Sequence, residues 1–493
     1  GAVAGIDITG TVTIAGGGSL RMGPLSAGNA LRVGGTVGTG AVDIPVASLD
    51  NLPEGFSEIQ LGGASQSGTV TLAGGPTGNW LDSVSVQAPN GDIVVSAAVD
   101  TSASSDLASV TLNGDGTTTT LSGNIRTDGG NVTINDTVLL DGTPLIDTEQ
   151  GNNSAAGNVT ITGAIDALNG NGDTLTVNTV STGGADGFVE LQGAYGTNTV
   201  TGSAGLTGPL DIDAGQIDVD AVHVDGGTIS LTGSNIDLNG TTYQTTGSGA
   251  IGFTGPVDLG LDTGGTILVQ TPGGVDADDI TFTSTVQDPS AGTADQLELN
   301  TNNGGGAGGA GDVIVSGAVG NGTDDPGGFT VSGGQQVDLN AVTVVGGPID
   351  VTASNIDLNA TSYQARTSGE ISFAGPVTLA VAGGTVQLQT SGAAATDSIS
   401  MTSTVDDNAG GDSALTLNAD VGGSGNGAVS VTGAIGGNTP IGALTVSGTP
   451  AQARLANVTV ASADVSVTAS DIVLTGTTYE TTTSGAISFT GPV

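Results

Sequence analysis

The chain has 493 residues, among them 88 glycines, 48 acidic side chains, five arginines, no lysine and no cysteine, for a formal net charge of −43. Aromatic residues make up 2 %, so no large aromatic core can be assembled, and the missing cysteines exclude disulfides, thiolate metal sites and cysteine nucleophiles. Arg21, Arg32, Arg126, Arg366 and Arg454 are scattered, which argues against nucleic acid or an anionic membrane surface as partner, because phosphate binding needs clustered Lys and Arg.

No stretch approaches the ~18 to 20 consecutive apolar residues of a bilayer-spanning helix, so no transmembrane segment is expected, and no basic-then-apolar leader is seen. Because the chain starts at Gly1 and breaks off at Gly491-Pro492-Val493 inside a motif that is complete elsewhere, it reads as a piece of something longer.

In chain order, residues 1–121 read as irregular short strands, followed by a partial repeat copy over 122–156. Three related units follow at 157–277, 278–396 and 397–493. In the first, Ser234-Asn235-Ile236-Asp237-Leu238 precedes Tyr243 and then Ile251-Gly252-Phe253-Thr254-Gly255-Pro256-Val257. The second unit repeats this with Ile356, Leu358, Tyr363, Ile371, Phe373, Pro376 and Val377; the third, with Ile472, Leu474, Tyr479, Ile487, Phe489, Pro492 and Val493. Val132, Ile134 and Val138 form a weaker upstream copy. A fixed period of ~120 residues means one structural unit stacked repeatedly.

Within each unit, runs such as Thr266-Ile267-Leu268-Val269, Leu297-Glu298-Leu299 and Ile349-Asp350-Val351 alternate with period two, are rich in β-branched residues and are separated by Gly, Asn, Asp and Ser. This pattern predicts an all-β fold, a parallel β-helix (β-solenoid), rather than a sandwich. Comparing copies assigns faces: Ile236 and Leu238 point inward and Asp237 outward, Ile251 and Phe253 inward and Gly252 outward. Pro256, Pro376 and Pro492 lack an amide donor and belong at corners. With about 20 residues per coil and ~4.8 Å between strands, the expectation is roughly 25 coils in a rod of about 120 Å, carrying about one charge per 3 Å. Such a charge density calls for counterions, and Ca²⁺ bridging outward aspartates is the expected structural one; no other cofactor is expected.

The candidate chemistry is sparse. Asp211, Asp213, Asp218 and Asp220, with Asp225 beyond, could hold Ca²⁺ or supply a glycosidase acid and base, but they read first as the solvated face of strands. Gly308-Gly309-Ala310-Gly311-Asp312 and Gly170-Asn171-Gly172-Asp173 approach a Gly-rich calcium repeat out of register. His223 is replaced by Thr343 and Thr459 in the sister units, and Arg366 by Thr246 and Thr482, so both read as surface positions and neither as catalytic. Trp80, the sole tryptophan, reads as a core or corner plug, and Tyr243, Tyr363 and Tyr479 as packing at one corner, about six coils apart. The chain is therefore expected not to be an enzyme; a β-helical polysaccharide lyase or hydrolase would need basic residues and carboxylates gathered in one groove.

The phrase Ser484-Gly485-Ala486-Ile487-Ser488-Phe489-Thr490-Gly491-Pro492-Val493, with Gly55-Phe56-Ser57-Glu58-Ile59-Gln60-Leu61-Gly62 upstream, resembles repeats of very large bacterial surface proteins similar to the filamentous haemagglutinin family of secreted adhesins. The resemblance implies a right-handed parallel β-helix, export to the cell surface, and a role in adhesion or matrix formation. The expected function is a filament- or stalk-forming segment stacked end to end with its own chain or other copies. The alternative is an adhesin rod presenting a tip to glycans or a cell-surface receptor.

Overall fold

A computed structural model describes residues 17–35, 41–151, 155–169, 172–197, 208–261, 263–275, 277–289, 293–302, 311–392, 397–408, 410, 412–419, 421, 427–448 and 450–493. Strand accounts for 49 % of the described residues and helix for 1 %, and these strands form long parallel sheets with no closed barrel among them. The fold is a parallel β-solenoid. It divides into two compact units, Gly1–Gly240 and Thr241–Val493.

In the first unit, Ser19–Met22 lies beside Glu58–Gly62, which lies beside Val84–Gln87 and then Val110–Leu121, all parallel. Val132–Leu140 continues the stack, and the ten-residue strands Leu210–Val219 and Ile229–Leu238 close the unit in matched register. Inward positions such as Ile212, Ile217, Val219, Ile236 and Leu238 are fully buried, and the residues between them are partly or wholly exposed. Alternation with period two is the direct cause, because successive side chains of a strand point to opposite faces.

The second unit has three faces. One runs Ile251, Ile280, Val313, Val337, Ile356, Val377, Val405, Ile435, Val458, Tyr479. A second runs Val257, Val286, Val319, Val342, Tyr363, Leu388, Leu417, Val446, Val467, Phe489. The third runs Tyr243, Val269, Leu299, Val331, Val351, Phe373, Met401, Val431, Leu455, Leu474. The three tyrosines thus fall on three different faces.

This corrects the expected single corner. From Tyr243 to Tyr363 the chain makes four complete coils and then passes two more faces, and the same count separates Tyr363 from Tyr479. Coils are also longer and less even than about 20 residues: Asn355 meets Gln336 at a separation of 19, whereas Asp312 meets Asp279 at 33. Corner loops absorb the difference, because loop closure costs only ~0.6 kcal/mol per doubling of length.

The proline corners fall where expected, between Ile251–Thr254 and Val257–Leu259, and between Ile371–Ala374 and Val377–Leu379. The carbonyls of Pro376 and Pro492 still accept the amides of Ile356 and Ile472, at 2.9 and 2.8 Å, so each proline spends only the donor that it lacks. The glycine before it is required: at Gly491 φ is +137° and a Cβ would stand 2.1 Å from the carbonyl oxygen of Ala469.

Candidate functional site

The densest acidic stretch lies on Leu210–Val219. Leu210, Ile212, Ala214, Ile217 and Val219 fill the core, which leaves Asp211 and Asp213 exposed and Asp218 half-buried on the outer face. Asp211 stands between Thr176 and Ser230, and Asp213 between Asn178 and Thr232. Asp220 lies beyond the strand and accepts the amide of Ala221 at 2.7 Å. The structure therefore spaces these four side chains along a single rung, and the described residues contain no group of three or more His, Cys, Asp or Glu placed to hold a metal ion.

Asp218 is in a different position from the other three. Glu190 occupies the rung on one side and Asp237 the rung on the other. Gln216 donates to Asp218 Oδ1 at 3.3 Å and to Asp237 Oδ2 at 3.1 Å, and Asn235 donates to Asp237 Oδ1 at 2.6 Å. Burial first, then the hydrogen bond and charge of Asp237, push the Asp218 carboxyl up to about 7, with Gln216 opposing and Glu190 adding to the rise. Two carboxylates on adjacent rungs cannot both ionise cheaply, so the pair holds a proton near neutrality.

A second set of aspartates was not singled out from the sequence. Asp278, fully buried, accepts the amides of Gly249 at 2.8 Å, Gly274 at 2.8 Å and Val275 at 3.2 Å, while its own carbonyl accepts the hydroxyl of Thr271 at 2.6 Å. Asp397 recreates this corner in the next repeat, accepting Gly369 at 2.9 Å, with the Thr390 hydroxyl on its carbonyl at 2.7 Å. In Asp407 burial pushes the carboxyl up, but bonds from Ser413, Asp412 and Asn408 outweigh it and hold the group below its ordinary value. These carboxylates satisfy loop amides that would otherwise be buried without partners. The signal was present in the sequence, since Thr271 and Asp278 recur as Thr390 and Asp397, but Thr and Asp read as surface residues until their burial is seen.

No family model, curated protein or solved structure matches the chain. No helix among the described residues is long and apolar enough to cross a membrane.

The remaining singled-out residues are placed as follows. Tyr243 and Tyr363 are fully buried, and each meets its repeat's phenylalanine edge to face: Tyr243 with Phe253 and Tyr363 with Phe373, both with centroids at 6.4 Å, and Tyr479 with Phe489 at 6.2 Å. The Tyr363 hydroxyl donates to the Leu339 carbonyl at 2.9 Å, and burial raises its pKa. Trp80 is 2 % exposed, a plug as expected. His223 is half-buried on an outward strand position; burial lowers its pKa and Asp225 partly offsets that. Arg366 is more than surface decoration, because it pairs with the buried Asp325 at 3.0 Å and donates to the Gly322 carbonyl at 2.7 Å. Residues 308–310 of the first Gly-rich fragment, and 170–171 of the second, lie outside the described residues.

Proposed function

We propose that the chain is a structural, filament- or stalk-forming segment of a large secreted surface protein, contributing to an extracellular fibre or matrix. The observation that carries the reading is the core of the second unit, in which the inward side chains of every coil complete the packing of the coil before. Repeats of this kind add coils without any change of design. The resemblance of the Ser484–Val493 phrase to secreted adhesin repeats supports the surface location, and the charge of −43 supports Ca²⁺ or another cation as counterion. Its partners on this reading are further segments of its own chain or other copies, joined end to end. Electron microscopy and fibre diffraction of purified material test it: elongated particles with a ~4.8 Å repeat along the long axis are expected, and compact particles would overturn it.

The alternative reading, an adhesin rod that presents a glycan- or receptor-binding tip, draws on one observation. The loop held by Asp325 and Arg366 belongs to one repeat alone, since Thr246 and Thr482 stand at the equivalent positions, and repeat-specific loops are where binding arises. Saturable binding on a glycan array, lost in Arg366→Ala, would favour it.

A further inference from the structure

Trp80, the only tryptophan, helps to wall a cavity of about 100 Å³ together with Leu49, Leu52, Pro53, Ile59 and Asp82. One side of this cavity is the strap 50–57, which follows the one-turn helix Val46–Leu49 and belongs to no strand. The strap's ends are tied through the backbone, Asp50 N–H to the Val46 carbonyl and Ser57 N–H to the Gly18 carbonyl. Asn51 Nδ2 donates to the Ala47 carbonyl at 2.9 Å, and the side-chain attachments to residues 77, 82 and 105 run through carboxylates. Asp50 accepts the amide of Thr77 at 2.6 Å and its hydroxyl at 3.0 Å, Glu54 accepts the hydroxyl of Ser105, and Gly55 N–H donates to Asp82 Oδ1 at 2.9 Å.

Asp82 is the weak point of this fastening. It is 4 % exposed, and its Oδ2 is buried with no hydrogen-bond partner. A charged carboxylate needs partners on both oxygens, and burying one that is half-satisfied is costly. The charged groups facing it are negative: Glu54 on the strap and Asp106 on a neighbouring loop, with Asp50 on the same cavity wall. Asp100, whose carbonyl accepts the Trp80 amide, lies nearby in the chain's next coil. No Lys, Arg or His lines the cavity.

We propose that the strap 50–57 is a pH-responsive cover over Trp80, closed when Asp82 carries a proton and loosened when it is charged. The direction follows from the same surroundings. Burial pushes the Asp82 carboxyl above its ordinary value, the Gly55 and Phe56 amides pull it back, and Glu54 and Asp106 add to the rise. A proton is then held more tightly with the strap closed than with Asp82 in water, so acidification favours closure and ionisation favours release.

Because Trp80 is the sole tryptophan, its emission in the full chain reports on this cavity alone. Acrylamide quenching between about pH 4 and 8 is expected to rise about twofold as Asp82 ionises, with far-ultraviolet circular dichroism unchanged. Asp82→Asn is expected to stay weakly quenched throughout. Asp106→Asn, which removes a like charge and leaves the strap's bonds intact, is expected to move the wild-type transition to lower pH. A flat wild-type curve, the same curve in Asp82→Asn, an unmoved transition in Asp106→Asn, or loss of the dichroism signal in step with quenching would each overturn the proposal.

Discussion

Tyr243 and Phe373 stand in one column of the core, five rungs apart, although in the repeat Phe373 is the counterpart of Phe253 and not of Tyr243. Phe489 likewise stands in the column of Tyr363. The repeat is therefore out of phase with the coil. Each copy advances four coils and two faces, so its outward chemistry turns by one face per repeat, at about 22 Å of rise for a ~4.8 Å spacing.

The register that produces this phase is open to a direct check. Glu298 pairs with Thr330 on adjacent rungs, whereas coils of about 20 residues would place Glu298 beside a residue near 318. The chain has no cysteine, and neighbouring strands ~4.8 Å apart are within reach of a disulfide. Glu298→Cys with Thr330→Cys is expected to oxidise to an intramolecular disulfide, identified by peptide mass spectrometry. Failure to cross-link in the folded protein would refute the register.

Phe373 is fully buried between Val351 and Met401 and meets Tyr363 edge to face. Phe373→Ala should cost about 3 to 5 kcal/mol, from lost transfer energy and the cavity left behind. Tyr363→Phe removes only the bonds of its hydroxyl to Leu339 and Ala360, and about 1 kcal/mol is expected. Denaturant unfolding of the two variants checks the order, and an equal loss in both would contradict the packing described.

How far the sequence carried this fold can be read from particular residues. Alternation assigned Ile236, Leu238, Ile251 and Phe253 inward, and the missing amide placed Pro256 and Pro376 at corners, because both signals are local. The phase was not legible, because it depends on how many residues each corner loop holds, and loops of different length close at nearly equal cost. The Thr271 and Asp278 corner escaped for another reason: a polar residue in a Gly-rich stretch signals a turn equally well whether its side chain faces water or caps buried amides. For Asp211, Asp213, Asp218 and Asp220, the spacing along the strand was visible, but the neighbours on adjacent rungs were not, and Glu190 and Asp237 are what set Asp218 apart.

The buried corners should respond to loss of a single hydroxyl. Thr390→Val keeps the shape of the side chain while leaving the Asp397 carbonyl without the bond at 2.7 Å. A loss of about 1 to 3 kcal/mol is expected for an unsatisfied buried group. The exposed Thr323→Val, on the rim of the loop 320–325, should lie within about 0.5 kcal/mol of wild type. Comparable losses in both would show that burial of the hydroxyl is not what matters.

The carboxyl pair Asp218 and Asp237 makes stability depend on pH in a direction opposite to that of an ordinary salt-bridged aspartate. The folded Asp218 carboxyl lies at about 7, above the unfolded value of 3.8, so the folded state binds the extra proton. Its contribution is fully present below the unfolded value and is lost as pH rises through about 7. Asp237→Asn removes the neighbouring charge that, after burial, contributes most to the shift, so the Asp218 titration should move toward the ordinary carboxylate range. The fall in melting temperature of wild type between about pH 4 and 7 should then be smaller in the variant. Carbon-13 chemical shifts of the Asp218 carboxyl, followed in both proteins, separate this site from the other aspartates; a midpoint near the ordinary value in wild type would remove the basis for the shared proton.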